Sequence, residues 1–211
     1  MNDADIRARL HADFDRDGVP WVDEVQTQRR RADLLAIVGG VLTSIEIKSG
    51  KDTLKRLAEQ YQLADHRFRQ VLVVTEPRHV AGVRSVVGPR CGIWVCEERP
   101  DGFHLRTRSK AFGTRRPTPR AKAHPTRIAY LLRRAELGAL LGVDPESARR
   151  GDLASRLAAE LPIEELERAV LDALRARKRE SGKAHMASKS CAAAGAPAHR
   201  MRTSRDTGTN P

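Results

Sequence analysis

Two adjacent glycines, Gly39 and Gly40, separate two apolar runs, residues 32–38 (ADLLAIV) and 41–48 (VLTSIEIK). Paired glycines between strand-like runs mark a tight hairpin, because its two central residues need backbone conformations that glycine adopts without cost. With Gly39 and Gly40 at the turn, Val38 faces Val41 and the register of the whole hairpin follows. Asp33 then lies opposite Glu46, and Arg31 opposite Lys48. Side chains alternate along a strand, so positions 31, 33, 46 and 48 share one face. Directly opposed residues hold their Cβ atoms about 4.5–5.5 Å apart. Two carboxylates are therefore set side by side, with two cations one step along.

Opposed like charges are destabilising on their own, so a cation is expected between them. A hard divalent ion such as Mg²⁺ takes one or two carboxylates and completes its shell with water and phosphate. Such an ion polarises a phosphate, and Lys48 is placed to orient the attacking water or to stabilise charge in the transition state. The alternative is a solvated strand face, on which a Glu-x-Lys triplet is common.

The remaining elements read as a mixed α/β domain, a sheet covered by helices. An amphipathic helix over 4–16 carries Ile6, Leu10 and Phe14. A weak strand over 20–26 contains Glu24. After the hairpin come a helix from about Thr53 to His66 with Asp52 as its cap, a strand over 70–75, a short helix over 77–86, and strands over 91–96 and 102–107. The expected organisation is a domain over 1–107, a basic linker over 108–126, a small helical C-terminal unit over 127–180 with helices at 127–142, 146–160 and 163–178, and a disordered tail over 181–211. The helical unit is open between a helix-turn-helix-like module and a packing or partner surface.

The chain is strongly basic, with a formal net charge of +12 over 211 residues, which favours a polyanionic partner. Arginine-rich codon usage accounts for such a charge equally well. Residues 102–135 hold ten Arg or Lys and no Asp or Glu, with Phe103 and Phe112 among them. Arg115 and Arg116 sit in that run, which is either a nucleic-acid contact or a solvated linker. The three cysteines include no CxxC pair, and Cys91 and Cys96 read as core residues beside a strand. A sparse, odd count suits a reducing compartment. With a charged N-terminus and no apolar run near membrane-spanning length, the expectation is a cytoplasmic protein without membrane contact.

The run Glu24, Arg31-Ala32-Asp33, Ile45-Glu46-Ile47-Lys48-Ser49, Asp52-Thr53-Leu54, Arg56-Leu57 and Gln60 resembles the PD-(D/E)xK, or restriction-endonuclease-like, superfamily of metal-dependent nucleases. The pattern E…R-A-D…IEIKS…D-T-L-x-R-L…Q is similar to that of a branch of small bacterial nuclease-like proteins. The resemblance spans roughly residues 4–107. It implies a Mg²⁺- or Mn²⁺-dependent nuclease that hydrolyses DNA phosphodiesters in repair, recombination or defence against mobile DNA. RNA is the alternative substrate, a homodimer the common assembly, and a non-catalytic DNA-binding protein of the same fold the rival reading.

The same resemblance implies that Asp33 and Glu46 bind the metal with the Ile47 carbonyl as a third ligand, and that Lys48 is the catalytic lysine. Glu24 matches an additional acid that reaches metal through water, and is otherwise an ordinary surface acid. Gln60 matches a glutamine on the helix after the motif. Arg31, Ser49, Arg56 and Gln60 are the candidate nucleic-acid contacts near the motif. For Arg56 and Gln60 the alternative is a solvated helix face, and for Ser49 a simple strand end. Two positions depart from the pattern: Ala32 stands where the family name has proline, and Ala64 stands where related nucleases often carry tyrosine.

Overall fold

The computed structural model describes residues 1–27, 30–109 and 124–194. Six strands form one mixed sheet in sequence order: β1 (Trp21–Gln26), β2 (Arg31–Val38), β3 (Val41–Lys48), β4 (Gln70–Thr75), β5 (Gly92–Arg99) and β6 (Gly102–Ser109). β1, β2 and β3 pair antiparallel, β3, β4 and β5 pair parallel, and β6 returns antiparallel on β5 as the edge. The parallel pairs need crossovers, and these are α2 (Leu57–Asp65) and α3 (Val80–Val86). The α/β class and the mixed, helix-flanked sheet expected from the sequence are what the chain forms.

Strand alternation distributes the core over both faces. Leu34, Ala36, Ile45, Ile47, Leu72 and Val74 pack against Ile6, Leu10 and Phe14 of α1 (Asp3–Arg16). Asn2 starts that helix with a capping box: its side chain accepts from the Asp5 N–H, and the Asp5 carboxylate accepts from the Asn2 N–H, satisfying two otherwise open donors. On the opposite face Val71, Val73, Ile93 and Val95 pack with Leu57 of α2 and Val83 of α3. Cys91 and Cys96 are buried and free, as core residues.

The expected boundary at residue 107 is not where the chain divides. Met1–Ala176 form one compact unit, and Arg177–Pro211 a second. The first unit includes α4 (His124–Ala129), α5 (Arg134–Leu141), α6 (Arg150–Glu160) and the start of α7 (Ile163–Ala194). Ile128, Leu132, Leu137, Leu153, Leu157, Leu166, Val170 and Leu174 share one cluster with Val22, Val25, Leu35, Ile37, Leu42 and Phe68 of the sheet domain. The physical reason is mutual need. The β1–β3 face is left uncovered by α2 and α3, and short amphipathic helices cannot bury their stripes alone.

Several element boundaries differ from expectation. The helix expected over 127–142 is two, with Arg133 extended between them, and Arg150 donates to the carbonyls of Leu132 and Tyr130 left open at the break. Asp52 does not cap a helix; its carboxylate accepts from the Ser49 N–H and Oγ, both at 2.8 Å, closing the turn after β3. A 3₁₀ turn over Leu54–Arg56 then leads into α2. α7 continues past residue 178 to Ala194, through an alanine-rich stretch of high helix propensity. The rest of the expected tail (195–211) and most of the expected linker (110–123), including Arg115 and Arg116, lie outside the described residues.

Glu167 of α7 joins the helices to the hairpin. It is fully buried, accepts from the Leu42 N–H at 3.0 Å, and takes Arg69 through both of its oxygens, each at 2.8 Å. Glu167→Ala should destabilise the protein by about 2–4 kcal/mol, since it strands the buried Leu42 N–H and leaves the largely buried Arg69 guanidinium with only Glu164 as its carboxylate partner. Urea denaturation measures this, and a loss below about 1 kcal/mol would contradict the role assigned to Glu167.

Candidate active site

Gly39 and Gly40 have φ of 59° and 80°, the left-handed pair that a type I′ turn requires. The register follows as read from the sequence: Val38↔Val41, Ile37↔Leu42, Ala36↔Thr43, Leu35↔Ser44 and Leu34↔Ile45. The paired residues end there; Asp33, the next residue of β2, instead accepts the Ile47 N–H on its Oδ2 at 2.9 Å, which places its carboxylate beside the Glu46–Ile47 segment of β3. On the other flank, the pairs Asp23↔Leu34 and Val25↔Ala32 bracket Glu24 opposite Asp33.

Glu24 is the one described non-glycine residue with positive φ, 54°. That conformation costs a side-chain-bearing residue roughly 1–2 kcal/mol. Its carboxylate turns to Arg31 at 3.4 Å. Arg31 thus faces Glu24 rather than Lys48. Among the described residues no group of three or more His, Cys, Asp or Glu side chains converges as a metal cage.

The centre is a buried polar cluster. Lys48 Nζ lies 2.6 Å from Glu46 Oε1, and Gln60 Nε2, reaching across from α2, donates to the same oxygen. The side chains of Asp33, Glu46 and Lys48 are 26%, 13% and 10% exposed. Gln60 Oε1 is buried with no hydrogen-bond partner among the described residues. Burial pushes the Glu46 carboxyl up to about 7, and the adjacent Asp33 charge adds to the rise while Lys48 opposes it. Burial also raises Asp33, against the pull of the Ile47 N–H, Lys48 and Arg7.

The donor set fits a hard divalent cation. It offers two neighbouring carboxylates whose burial and mutual repulsion disfavour ionisation, and a bound cation reverses both effects. With both acids ionised, Lys48 neutralises one charge and leaves one over. Asp33 and Glu46 would hold the ion, with the Ile47 carbonyl as the third expected donor.

Other sequence-derived candidates are placed less centrally. Ser49 is buried, with its hydroxyl donated to Asp52, so it ends the strand rather than presenting an open hydroxyl. Arg56 is exposed at the end of the 3₁₀ turn. Two contributions had no signal in the sequence. Arg7 of α1 donates to the Asp33 carbonyl at 2.9 Å and lies 3.9 Å from Asp33 Oδ1. Arg67 lines a cleft with Glu46 and Gln60. The helical spacing of Arg7 from Asp3 was readable, but its reach to Asp33 required the packing of α1 on the sheet.

Among the described residues, no helix is long and apolar enough to cross a membrane. No curated protein matches the chain. A solved structure, the SPO1766 protein of unknown function from Silicibacter pomeroyi, is similar at 17% identity and a TM-score of 0.39, over 64% of this chain and 87% of that one. The family model described as bacteriophage P4 protein cII matches residues 23–194. That span takes in the carboxylate hairpin, the rest of the sheet and the C-terminal helices, and the chain belongs to the bacteriophage P4 cII protein family.

Proposed function

We propose that the protein is a metal-dependent nuclease of the PD-(D/E)xK type that hydrolyses DNA phosphodiester bonds, in repair, recombination or defence against mobile DNA. The observation that carries this reading is the Asp33 carboxylate held on the Ile47 N–H at 2.9 Å, next to Glu46, with Lys48 Nζ 2.6 Å from Glu46. A bound Mg²⁺ or Mn²⁺ supplies Lewis-acid polarisation of the phosphate. The chain's own groups do the rest. The Ile47 N–H fixes Asp33, and Gln60 and Lys48 hold the Glu46 carboxylate in one orientation. The Lys48 ammonium orients the attacking water and stabilises the charge that builds on the phosphate oxygens.

The Glu46–Lys48–Gln60 cluster satisfies one Glu46 oxygen without any ion, and this favours a second reading, a DNA-binding protein that retains the fold without cutting. Calorimetry with Mn²⁺ separates the two, since only the nuclease reading requires uptake of the ion.

Purified protein with Mn²⁺ or Mg²⁺ should cleave labelled DNA, and Asp33→Ala and Lys48→Ala should each slow cleavage by about 100-fold or more. Variants that cut at the wild-type rate would refute the site assignment.

The raised carboxyls also set a pH dependence. Glu46 titrates near 7 in the fold against an ordinary value of 4.5. Its contribution to stability is intact below the ordinary value and is lost as pH rises through the folded one. The Tm of metal-free protein should therefore fall between about pH 5 and pH 8, and Mn²⁺ should restore more of it at the upper end. Glu46→Gln should flatten the profile. Wild type and Glu46→Gln with superimposable Tm profiles would contradict the coupled pair.

A further inference from the structure

β3 and β4 end together: Lys48 is the last residue of one, Thr75 the last of the other, and the two form the final register pair between the strands. The ladder alone does not place a lysine at such a position, because strand ends open easily and the ammonium rides on a flexible four-carbon stem. Here the strand end is held. Thr75 follows the apolar run 71–74 (VLVV), is fully buried, and its Oγ1 donates to the Lys48 carbonyl at 2.8 Å. The Asp52 carboxylate takes the Ser49 N–H, and the Glu76 carboxylate takes the Gly50 N–H. Three side chains thus tie three consecutive residues. Asp52 is local to the turn, whereas Thr75 and Glu76 stand 27 and 26 residues along the chain from their partners. Glu76 is itself steadied, with Arg78 Nε 3.5 Å from its Oε2, and the Arg78 guanidinium lies over Gly50 where a Cβ would stand. A glycine at this position is what admits both groups to the backbone.

We infer that Thr75 and Glu76 are positioning residues for Lys48, anchoring the end of β3 to the end of β4 so that the ammonium stays beside Glu46. The inference rests on the nuclease reading, in which Lys48 orients the attacking water, and it names the groups that hold Lys48 in place. Lys48 Nζ lies 2.6 Å from Glu46 Oε1, and a displacement of about 1 Å at such a group is enough to lose about a hundredfold in rate. The expected metal donors are held separately. Asp33 lies on β2, and Glu46 and Ile47 precede Lys48 within the ladder, paired with Val73 and Val74. Loosening the anchor therefore acts on the lysine and spares metal uptake.

The test has two arms, both on the full chain. In metal-free protein, acetylation by acetic anhydride is read at Lys48 by mass spectrometry, with the exposed Lys55 as internal reference. Thr75→Val keeps the shape and loses the hydroxyl; it and Glu76→Ala should each raise the relative Lys48 rate by about fivefold or more, as one lost hydrogen bond allows. Thr75→Ser should label as wild type does. In the second arm, cleavage of labelled DNA with Mn²⁺, Thr75→Val should lower kcat by about tenfold or more while KM and the calorimetric Mn²⁺ affinity stay near wild type, and Thr75→Ser should restore kcat. Wild-type labelling of Lys48 in Thr75→Val, or in Glu76→Ala where Thr75→Val does not fold, would overturn the inference. So would a Thr75→Val protein that labels faster yet cuts with the wild-type kcat. A wild-type protein that does not cut at all counts against the nuclease reading, while the labelling arm still decides whether Thr75 and Glu76 anchor Lys48.

Discussion

The left-handed turn at Gly39 and Gly40 is the constraint on which the candidate site depends. Both positions need positive φ, 59° and 80°, and glycine accepts this without the penalty that a Cβ brings. A two-residue turn of this type leaves one register between β2 and β3. A slip of one residue would turn Asp33 and Glu46 to opposite faces of the sheet. A slip would also exchange residues between two differently filled cores, moving Leu34 or Ile45 out of its packing with α1 and into the cluster on the opposite face.

The cluster that results is costly to keep. Two carboxyls and an ammonium are largely out of water, and burying charge is unfavourable unless every member is paired. The fold meets that requirement with specific partners: the Ile47 N–H and Arg7 for Asp33, and Lys48 and Gln60 for Glu46. Those partners come from β3, α1 and α2, so the cluster forms only once the layers have assembled. The strained Glu24 beside it belongs to the same picture. Strain of this kind persists only where surrounding structure over-determines it, and it gathers at functional sites.

The C-terminal helices are part of the same unit as the sheet. Glu167 of α7 bonds the start of β3, the strand that carries Glu46 and Lys48, and it also takes Arg69 just before β4. The apolar cluster on that face runs from β1 and β2 through α4, α5, α6 and α7. The match to the bacteriophage P4 cII family likewise runs through both parts, over residues 23–194.

The hairpin and its register from Val38↔Val41 to Leu34↔Ile45 were legible in the sequence, because both follow from local rules: a period of two and a turn that only glycine fits. Most strands were legible for the same reason, being short apolar runs bounded by turn residues. The sequence could not show that Asp52 would close the turn after β3 rather than cap a helix, since an aspartate serves either purpose and only the path of the chain selects one. Nor could it show that Arg150 would meet the carbonyls left open at the break in the helix expected over 127–142, that Arg7 would reach Asp33, or that Arg67 would line a cleft with Glu46. These depend on which surfaces meet across long stretches of chain. Nor could the sequence show that the apolar stripes of the later helices would share one cluster with β1 and β2, because unburied apolar area on the sheet and on the helices meets only in the folded chain. Local backbone chemistry thus determined the register of the hairpin, and tertiary packing decided what surrounds its acids.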